Sequence, residues 1–180
     1  MDSKQKKKSL IIVHTGDGKG KTTAAIGMAM RTVAHGWKVA FVQFLKNPKD
    51  YKYAIQKLEK DHENLDVFTL GAGFTWDTKD EEVDKKAARD TWEKAKELIF
   101  SQKYRMVVLD EINYAIGLGQ LPEAEVLDLL ENKPENLHLI LTGRNATEKI
   151  IDVADLVTEM KNIKHPFREQ GIIAQKGIEW

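Results

Sequence analysis

A short segment of the chain, from Thr15 to Thr23, combines glycine, lysine and hydroxyl side chains at a spacing that suits a polyphosphate. It reads Thr-Gly-Asp-Gly-Lys-Gly-Lys-Thr-Thr, and it ends in the same way as the phosphate-loop pattern G-x-x-x-x-G-K-[ST]. In that pattern the lysine brings a positive charge to the phosphates and the hydroxyl ligates Mg²⁺. We therefore predict that Lys21 grips the phosphates of a nucleotide and that Thr22 is a ligand of its Mg²⁺.

The first position of the pattern differs, because Thr15 stands where a glycine is usual. Gly16, Gly18 and Gly20 still allow positive φ angles and a close approach of backbone N–H groups to phosphate oxygens. Asp17 puts a negative charge beside the phosphates, so it either points outward or braces the turn through its own backbone. The predicted nucleotide-binding residues of this loop are Thr15, Gly16, Asp17, Gly18, Lys19, Gly20, Lys21, Thr22 and Thr23.

A flexible turn without a ligand is the alternative interpretation of this segment. The strand predicted before it and the helix predicted after it favour the phosphate loop. A dinucleotide-binding fingerprint, G-x-G-x-x-G, does not fit, because its last glycine would fall on Lys21. Gln43 and Phe44 also stand where that fold would end its second strand in an acidic residue.

A second motif lies further along the chain, where the apolar run Met106-Val-Val-Leu109 ends in Asp110 and Glu111. Carboxylates at the carboxyl end of a parallel strand face the crevice in which such sheets bind ligands. We predict that one of these two carboxylates holds Mg²⁺, directly or through water. The alternative is that Asp110 caps the helical turn that follows it.

Short apolar runs alternate with segments of helical periodicity along the chain. The predicted strands are 10–13, 39–45, 67–70, 106–109, 137–141 and 156–160, and the predicted helices are 21–35, 50–60, 79–100, 147–153 and one that begins near Pro122. This alternation implies parallel pairing with right-handed crossovers. Apolar runs without polar alternation imply strands that are covered on both faces. The predicted fold class is an α/β P-loop NTPase-type (RecA-like) fold, with a mostly parallel sheet and helices on both faces.

The length and composition of the chain limit its domain organisation, its binding partners and its cysteine chemistry. The 180 residues fit one domain over residues 9–180, after a basic arm at residues 1–8 that either frays in solvent or folds over a bound polyphosphate. Lys plus Arg equals Asp plus Glu at 28 each, which argues against a chain built to coat nucleic acid or an anionic membrane. There is no cysteine, so disulfides, iron–sulfur clusters and thiol nucleophiles are excluded. Without a membrane-spanning run or a signal-peptide core, we expect a cytoplasmic location.

These residues predict binding of Mg·ATP but leave the reaction open. A motor-type ATPase needs an ordered water and usually an arginine finger, for which Arg144 is a candidate. A kinase needs an acceptor site and often an arginine-rich lid, which the sequence lacks. Arg144 follows the end of a predicted strand, so it either forms a surface ion pair or contacts the nucleotide.

The sequence resembles the corrinoid-type ATP:cob(I)alamin adenosyltransferases, also called cob(I)yrinic acid a,c-diamide adenosyltransferases. The resemblance spans Ile11 to Trp180. The segments that carry it are Thr15-Gly-Asp-Gly-Lys-Gly-Lys-Thr-Thr-Ala-Ala25, Val42-Gln-Phe44, Gly73-Phe-Thr-Trp76, Leu109-Asp-Glu-Ile112, Thr142-Gly-Arg144, Lys164-His-Pro-Phe167 and Ala174-Gln-Lys-Gly-Ile178.

The resemblance implies transfer of the 5′-deoxyadenosyl group of ATP to the cobalt(I) of a reduced corrinoid, with triphosphate as the leaving group. Cobalt(I) is itself a strong nucleophile, so no general base is needed. The protein must hold C5′ over cobalt in line with the leaving oxygen, and it must stabilise the charge that grows on the triphosphate. The resemblance also implies that ATP binds in the reverse sense to that of ordinary P-loop enzymes, which exposes C5′ rather than the γ-phosphate.

The segment Gly73-Phe74-Thr75-Trp76 allows two interpretations. By itself, an aromatic pair in a loop after a strand is typical of packing residues. The resemblance instead assigns Phe74 and Trp76 to the lower face of the corrin, where they displace the lower axial ligand. Four-coordinate cobalt(II) is then easier to reduce, and the apolar wedge excludes water. The resemblance thus implies Lys21, Phe74 and Trp76 as catalytic residues.

The resemblance extends to the other binding partners. It assigns Arg144 to the nucleotide or to corrin carboxylates, whereas we predict His165 to be a satisfied loop histidine rather than a cobalt ligand. It implies ATP and a cobalamin or cobinamide-type corrinoid as substrates, Mg²⁺ as cofactor, a reduced flavoprotein as a possible electron donor, and a homodimer. The alternatives are a P-loop kinase or ATPase, and a non-catalytic module that binds nucleotide or corrinoid.

Overall fold

The structure is a computed structural model that describes residues 9–46, 54–71, 73 and 80–179. Its sheet has six strands in the order β3-β2-β4-β5-β1-β6, and every neighbouring pair is parallel. The strands are β1 (Ile11–Thr15), β2 (Val39–Gln43), β3 (Leu65–Thr69), β4 (Met106–Asp110), β5 (His138–Thr142) and β6 (Leu156–Glu159). The described helices are α1 (Lys21–Ala34), α2 (Ala54–Asp61), α3 (Glu81–Phe100), α4 (Ile112–Gly117), α5 (Glu123–Glu131), α6 (Glu148–Val153) and α7 (Pro166–Gln170).

Helices cover both faces of the sheet. Successive residues of a strand point to opposite faces, so neighbouring residues pack against different helices. Val42 and Leu109 belong to a core cluster that includes Trp92 of α3, which is only 1% exposed. Phe41 and Val108, their immediate neighbours in the chain, belong to a second cluster with residues of α1 and α2. The predicted P-loop-type α/β fold class, with helices on both faces, is therefore confirmed.

Four strand ends line up at one edge of the sheet, and this alignment decides where a ligand site can form. Strand β5 lies between β1 and β4, and β2 pairs with the other side of β4. The carboxyl ends of these strands are Thr15, Thr142, Asp110 and Gln43. The register places Gln43 opposite Asp110, and the Phe44 N–H donates to the Asp110 carbonyl oxygen at 3.1 Å. Residues far apart in the sequence thus meet at the edge where parallel sheets bind ligands.

The sequence-based element boundaries differ from the observed ones by a few residues. Two short helices, α4 and α7, were not predicted. Helix α4 follows Glu111, which adopts a left-handed φ of 67° and makes no side-chain cap, so the sequence carries no ordinary start signal there. Helix α7 begins with Pro166 after the cap His165, a signal that the sequence does contain. The predictions for the arm at residues 1–8 lie outside the described residues. Among the residues that the structure describes, no helix has the length and apolar character needed to cross a lipid bilayer.

Candidate functional site

The phosphate loop is a tight turn that lies against the end of β6. Gly18 donates its N–H to the Met160 carbonyl oxygen at 2.7 Å, and Met160 donates to the Thr15 carbonyl oxygen at 2.8 Å. A Cβ at Gly16 would lie 2.5 Å from the Met160 carbonyl oxygen, and one at Gly18 would lie 2.7 Å from it. The backbone of residues 160–161 therefore lies too close for any side chain at these two positions. The sequence pattern did not reveal this reason for the glycines.

The loop turns into α1 at Gly20, which precedes the first helical residue with a φ of 112°. A non-glycine residue is strained in that conformation. Helix α1 has no acidic residue in its first turn and no side-chain cap, so its first N–H groups remain available to an anion. Lys21 and Thr22 stand in this first turn, which agrees with the predicted phosphate-binding role.

Lys21 is buried, with 8% of its surface exposed. Its Nζ donates to the carbonyl oxygens of Gly16 and Gly18, each at 2.7 Å, so the ammonium group lies within the curve of the loop. Burial lowers the pKa of Lys21, and the positive charge of Arg144 acts in the same direction, whereas Glu111 opposes both. A phosphate in the loop would supply the negative charge that such a buried ammonium group favours.

Asp110 is the point at which three strands and the phosphate loop meet. Its carboxylate is fully buried, and Oδ1 accepts hydrogen bonds from the hydroxyls of Thr22 and Thr142, each at 2.8 Å. The other oxygen, Oδ2, lies 3.4 Å from the Gln43 side-chain amide. Its carboxylate is thus held by these three groups, and the residue that precedes α4 is Glu111. The alternative in which Asp110 caps the next helical turn is therefore wrong.

Glu111 lines the same cavity as Lys21, and its backbone N–H donates to the Thr142 hydroxyl at 2.9 Å. Burial, together with the neighbouring charge of Asp110, raises the pKa of Glu111 to about 7. Lys21, Lys46 and Arg144 act against that rise. The Glu111 carboxylate and the three cationic side chains that act on it give the cavity a strongly polar lining, which suits a charged ligand.

Arg144 lies in the connection between β5 and α6, and the backbone on either side of it is unusual. Gly143 has a φ of 130° and Asn145 has a φ of 55°. A Cβ at Gly143 would lie 2.8 Å from the backbone nitrogen of Tyr114, so this glycine is pressed against the start of α4. Arg144 lines the cavity, and its charge acts on Lys21 and Glu111. Its location favours the predicted ligand contact over a surface ion pair.

The cavity at this edge of the sheet has a volume of about 790 Å³. Most of the predicted nucleotide-binding residues line it: Asp17, Gly18, Lys19, Gly20, Lys21, Thr22, Thr23 and Arg144. Thr15, Gly16 and Asp110 are not among its lining residues. Asp17 lies at the cavity rather than away from it.

Further lining residues were missed by the sequence analysis. Lys46 and Tyr114 each lie just beyond the end of a strand, β2 and β4, and the rule that strand ends meet at one edge could have identified them. The C-terminal segment, Gly177 to Glu179, also lines the cavity, and Glu179 Oε2 lies 2.5 Å from Lys19 Nζ. No local pattern predicts that contact, which spans 160 positions.

The remaining predicted residues fall into two groups. His165 lines the cavity, but its Nδ1 accepts a hydrogen bond from the Phe167 N–H at 3.2 Å and caps α7. That arrangement agrees with a satisfied loop histidine. Phe74 and Trp76 lie outside the described residues, so their assignment to a corrin stays a prediction.

Comparison with known proteins gives concordant results. A sequence model of the family described as ATP:corrinoid adenosyltransferase BtuR/CobO/CobP matches residues 7–180. A corrinoid adenosyltransferase of Sinorhizobium sp. is 50% identical over 182 residues, which cover 100% of this chain and 84% of that relative. A corrinoid adenosyltransferase of Escherichia coli (strain K12) is 40% identical over 176 residues, which cover 98% of this chain and 88% of that relative.

A solved structure shows the same arrangement of the chain at much lower sequence identity. The flagellar accessory protein FlaH from Methanocaldococcus jannaschii has a TM-score of 0.53 at 13% identity, over 84% of this chain and 70% of that one. This likeness concerns the fold alone.

Proposed function

This chain belongs to the ATP:corrinoid adenosyltransferase BtuR/CobO/CobP family, and from that premise we propose how its residues carry out adenosyl transfer. The substrates are ATP and a reduced corrinoid. The cobalt(I) electron pair attacks C5′ of ATP, the cobalt–carbon bond forms, and the C5′–oxygen bond breaks. Triphosphate leaves with the electron pair of the broken bond. No proton moves in this step, so the residues around the cavity need only position the reactants and stabilise charge.

The convergence of Lys21, Thr22, Glu111 and Arg144 on one cavity is the observation that carries the proposal. Its volume of about 790 Å³ lies within the range of pockets that hold a nucleotide-sized ligand. Lys21 and Arg144 are the cations that can offset the charge developing on the leaving triphosphate. The N-terminus of α1 adds backbone N–H donors. We place the triphosphate in the loop and C5′ toward the open side of the cavity, in the reverse sense that the resemblance implies.

Mg²⁺ fits the carboxylate and hydroxyl oxygens of this site. Mg²⁺ is usually held by one or two carboxylates together with substrate phosphates, rather than by a complete protein cage. The Thr22 hydroxyl donates to Oδ1 of Asp110 at 2.8 Å, and Glu111 lines the same cavity as Thr22. Thr22 and one of these carboxylates would hold the ion, which neutralises phosphate charge when bound.

The corrin side of the site rests on the family resemblance. We propose that Phe74 and Trp76 press on the lower face of the corrin and remove the lower axial ligand from cobalt(II). Reduction to cobalt(I) takes one electron, and we assign a reduced flavoprotein as its donor. The connection from β3 toward Gly73 starts beside Gln43, because the Leu70 N–H lies 3.4 Å from the Gln43 carbonyl oxygen. Leu70 therefore lies beside Gln43, a residue that lines the nucleotide cavity.

We also propose that two copies of the chain associate as a homodimer. Strand β6 is at the edge of the sheet, and Leu156 and Val157 on it are 41% and 37% exposed. The segment that follows carries Ile163 and Phe167, which are 82% and 60% exposed. Exposed apolar side chains beside an open strand edge are typical of an interface. A cytoplasmic location stays a prediction from the sequence.

The reaction products test this function directly. The purified chain is incubated without oxygen with ATP, Mg²⁺ and chemically reduced cob(I)alamin. We expect a light-sensitive organocobalt product, detected by its absorbance change on illumination, together with inorganic triphosphate in equal amount. ADP and phosphate without a cobalt–carbon bond would instead identify a P-loop kinase or ATPase. Tight corrinoid binding without either set of products would identify a non-catalytic binding module.

A further inference from the structure

Thr15, the residue that departs from the phosphate-loop pattern, directs its hydroxyl away from the nucleotide cavity. The residue is 7% exposed and is not among those that line the cavity. Its Oγ1 accepts a hydrogen bond from the Ala146 N–H at 3.1 Å, although the two residues are 131 positions apart. The glycine that is usual at this position could not accept such a bond.

The backbone at Thr15 explains why a side chain is tolerated there. Thr15 is the last residue of β1 and pairs with Glu159 of β6, so it is extended. The turn begins one residue later, at Gly16, whose φ is 92°. The need for glycine has therefore moved from position 15 to position 16. Position 15 is free to carry an oxygen.

The Ala146 N–H belongs to the connection that carries Arg144. This connection has left-handed backbone at Gly143 and at Asn145, one residue before and one residue after the arginine. Glycine and asparagine both tolerate positive φ, so contacts around the connection help to select this conformation. One contact is the packing of Gly143 against the start of α4, where the Tyr114 nitrogen leaves no room for a Cβ. Another is the hydrogen bond from the Ala146 N–H to the Thr15 hydroxyl.

Thr15 therefore links the phosphate loop to the connection that carries Arg144. The Thr15 carbonyl oxygen accepts from Met160, whose own carbonyl oxygen accepts from Gly18 in the loop. The Thr15 hydroxyl reaches the Arg144 connection. Arg144 is partly buried and lines the cavity beside Lys21. A charge that stabilises a leaving group must be placed before the reaction begins, because reorganisation during the step would cost rate.

We propose that Thr15 is a positioning residue, whose hydroxyl holds the Gly143–Ala146 connection and so sets the place of Arg144 relative to the triphosphate of bound ATP. The proposal rests on the function argued above, in which Arg144 contacts that triphosphate. It gives Thr15 no contact with the substrate. A role confined to fold stability is the competing account.

The experiment uses the full chain with five sequences: wild type, Thr15→Val, Thr15→Ser, Arg144→Ala and the double variant Thr15→Val with Arg144→Ala. Valine matches the shape of threonine but lacks the oxygen, whereas serine keeps it. The kcat and the KM for ATP are measured with chemically reduced cob(I)alamin and Mg²⁺, and Mg·ATP affinity is measured by calorimetry. Urea unfolding reports stability in parallel.

We expect Thr15→Val to lower kcat/KM for ATP about tenfold and Thr15→Ser to recover most of that loss. In the Arg144→Ala background, Thr15→Val should have an effect of less than about twofold, because the residue it positions is gone. Equal losses for valine and serine, or a full further loss in the double variant, would overturn the proposal. So would a change in unfolding alone.

The experiment distinguishes failure of the proposed function from failure of the positioning role of Thr15. If the wild type forms no adenosylated corrinoid, the proposed function fails. The same four variants then decide the role of Thr15 through Mg·ATP affinity, with the same expected pattern. Suppose instead that Arg144→Ala keeps wild-type affinity and turnover while Thr15→Val is impaired. That result would refute the positioning role of Thr15 and would leave the proposed adenosyl transfer unaffected.

Discussion

The hydroxyl of Thr22 donates a hydrogen bond to Oδ1 of Asp110 at 2.8 Å, across a separation of 88 positions in the sequence. The same oxygen accepts from Thr142, also at 2.8 Å. The phosphate-loop helix and two strands are thus joined through one carboxylate oxygen. The two hydroxyls differ in one respect that can be tested: Thr22 lines the cavity, and Thr142 does not.

The first prediction compares Thr22→Val with Thr142→Val. Thr22→Val removes one hydrogen bond to buried Asp110, and Thr142→Val removes one to Asp110 and the one that Thr142 accepts from the Glu111 N–H. Each change should therefore lower the free energy of unfolding by about 1–3 kcal/mol. Only Thr22 is proposed to ligate Mg²⁺, so Thr22→Val should lower kcat/KM at least about tenfold more than Thr142→Val does. Urea unfolding and the cob(I)alamin assay measure the two effects. Equal kinetic losses would remove the metal-binding role from Thr22.

The second prediction concerns Lys21, whose ammonium group lies within the phosphate loop. Lys21→Ala should abolish adenosylation from both cob(II)alamin and cob(I)alamin, because the triphosphate loses its central cation in either reaction. Lys149→Ala is the control, since Lys149 is 72% exposed and pairs with Glu123 away from the cavity. Retained activity in Lys21→Ala would exclude Lys21 from the mechanism.

The third prediction is a pH dependence of stability due to Glu111. Its pKa is raised from the usual 4.5 to about 7, chiefly by burial, so the folded state binds more protons than the unfolded state between these values. Stability due to this group is therefore present below about pH 4.5 and is lost as the pH rises to about 7. Without metal and nucleotide, Glu111→Gln should be more stable than wild type by roughly 1–3 kcal/mol above pH 7.

Urea unfolding in the presence of a chelator, at several pH values between 4 and 8, measures this difference. The advantage of Glu111→Gln over wild type should grow from about pH 4.5 to about pH 7 and then stay constant. A difference that does not vary with pH would show that Glu111 ionises as it does in the unfolded chain.

The fourth prediction separates two glycines of the same region. Gly18→Ala places a Cβ 2.7 Å from the carbonyl oxygens of Met160 and Lys161, so it should cost about 1–3 kcal/mol of stability and distort the phosphate loop. Gly27→Ala, on the exposed side of α1 with no atom within 4 Å, should instead stabilise the protein by about 0.5–1 kcal/mol. Thermal unfolding should show opposite shifts, with turnover lost only in Gly18→Ala.

The fifth prediction tests the aromatic pair. Phe74→Ala combined with Trp76→Ala should impair adenosylation that starts from cob(II)alamin far more than adenosylation of chemically prepared cob(I)alamin. The reason is that the wedge is proposed to ease the reduction of cobalt and not the attack on C5′. The measurement is the ratio of the rate from cob(II)alamin to the rate from cob(I)alamin. Trp92 is not changed, because it is a core residue that is 1% exposed. An equal loss in both assays would refute the wedge.

The amino-acid sequence by itself determined the parts of this protein that depend on local chemistry. The apolar runs identified the strands, because an apolar strand between two layers needs no longer-range information. The loop with Lys21 and Thr22 and the carboxylates after Met106–Leu109 predicted a nucleotide site, because each motif carries its own chemistry in a few consecutive residues. The resemblance added the second substrate, which no local pattern could name.

The tertiary structure alone decided which distant groups act together. Strand β5 inserts between β1 and β4, and this places Thr142 beside Asp110 and brings Ala146 to Thr15. The contact of Glu179 with Lys19 and the packing of Gly16 against Met160 likewise join segments with no relation in sequence. Such pairings depend on strand order and on the path of the connections. A hydrogen bond has no sequence signature when its partners are brought together only by the packing of other elements.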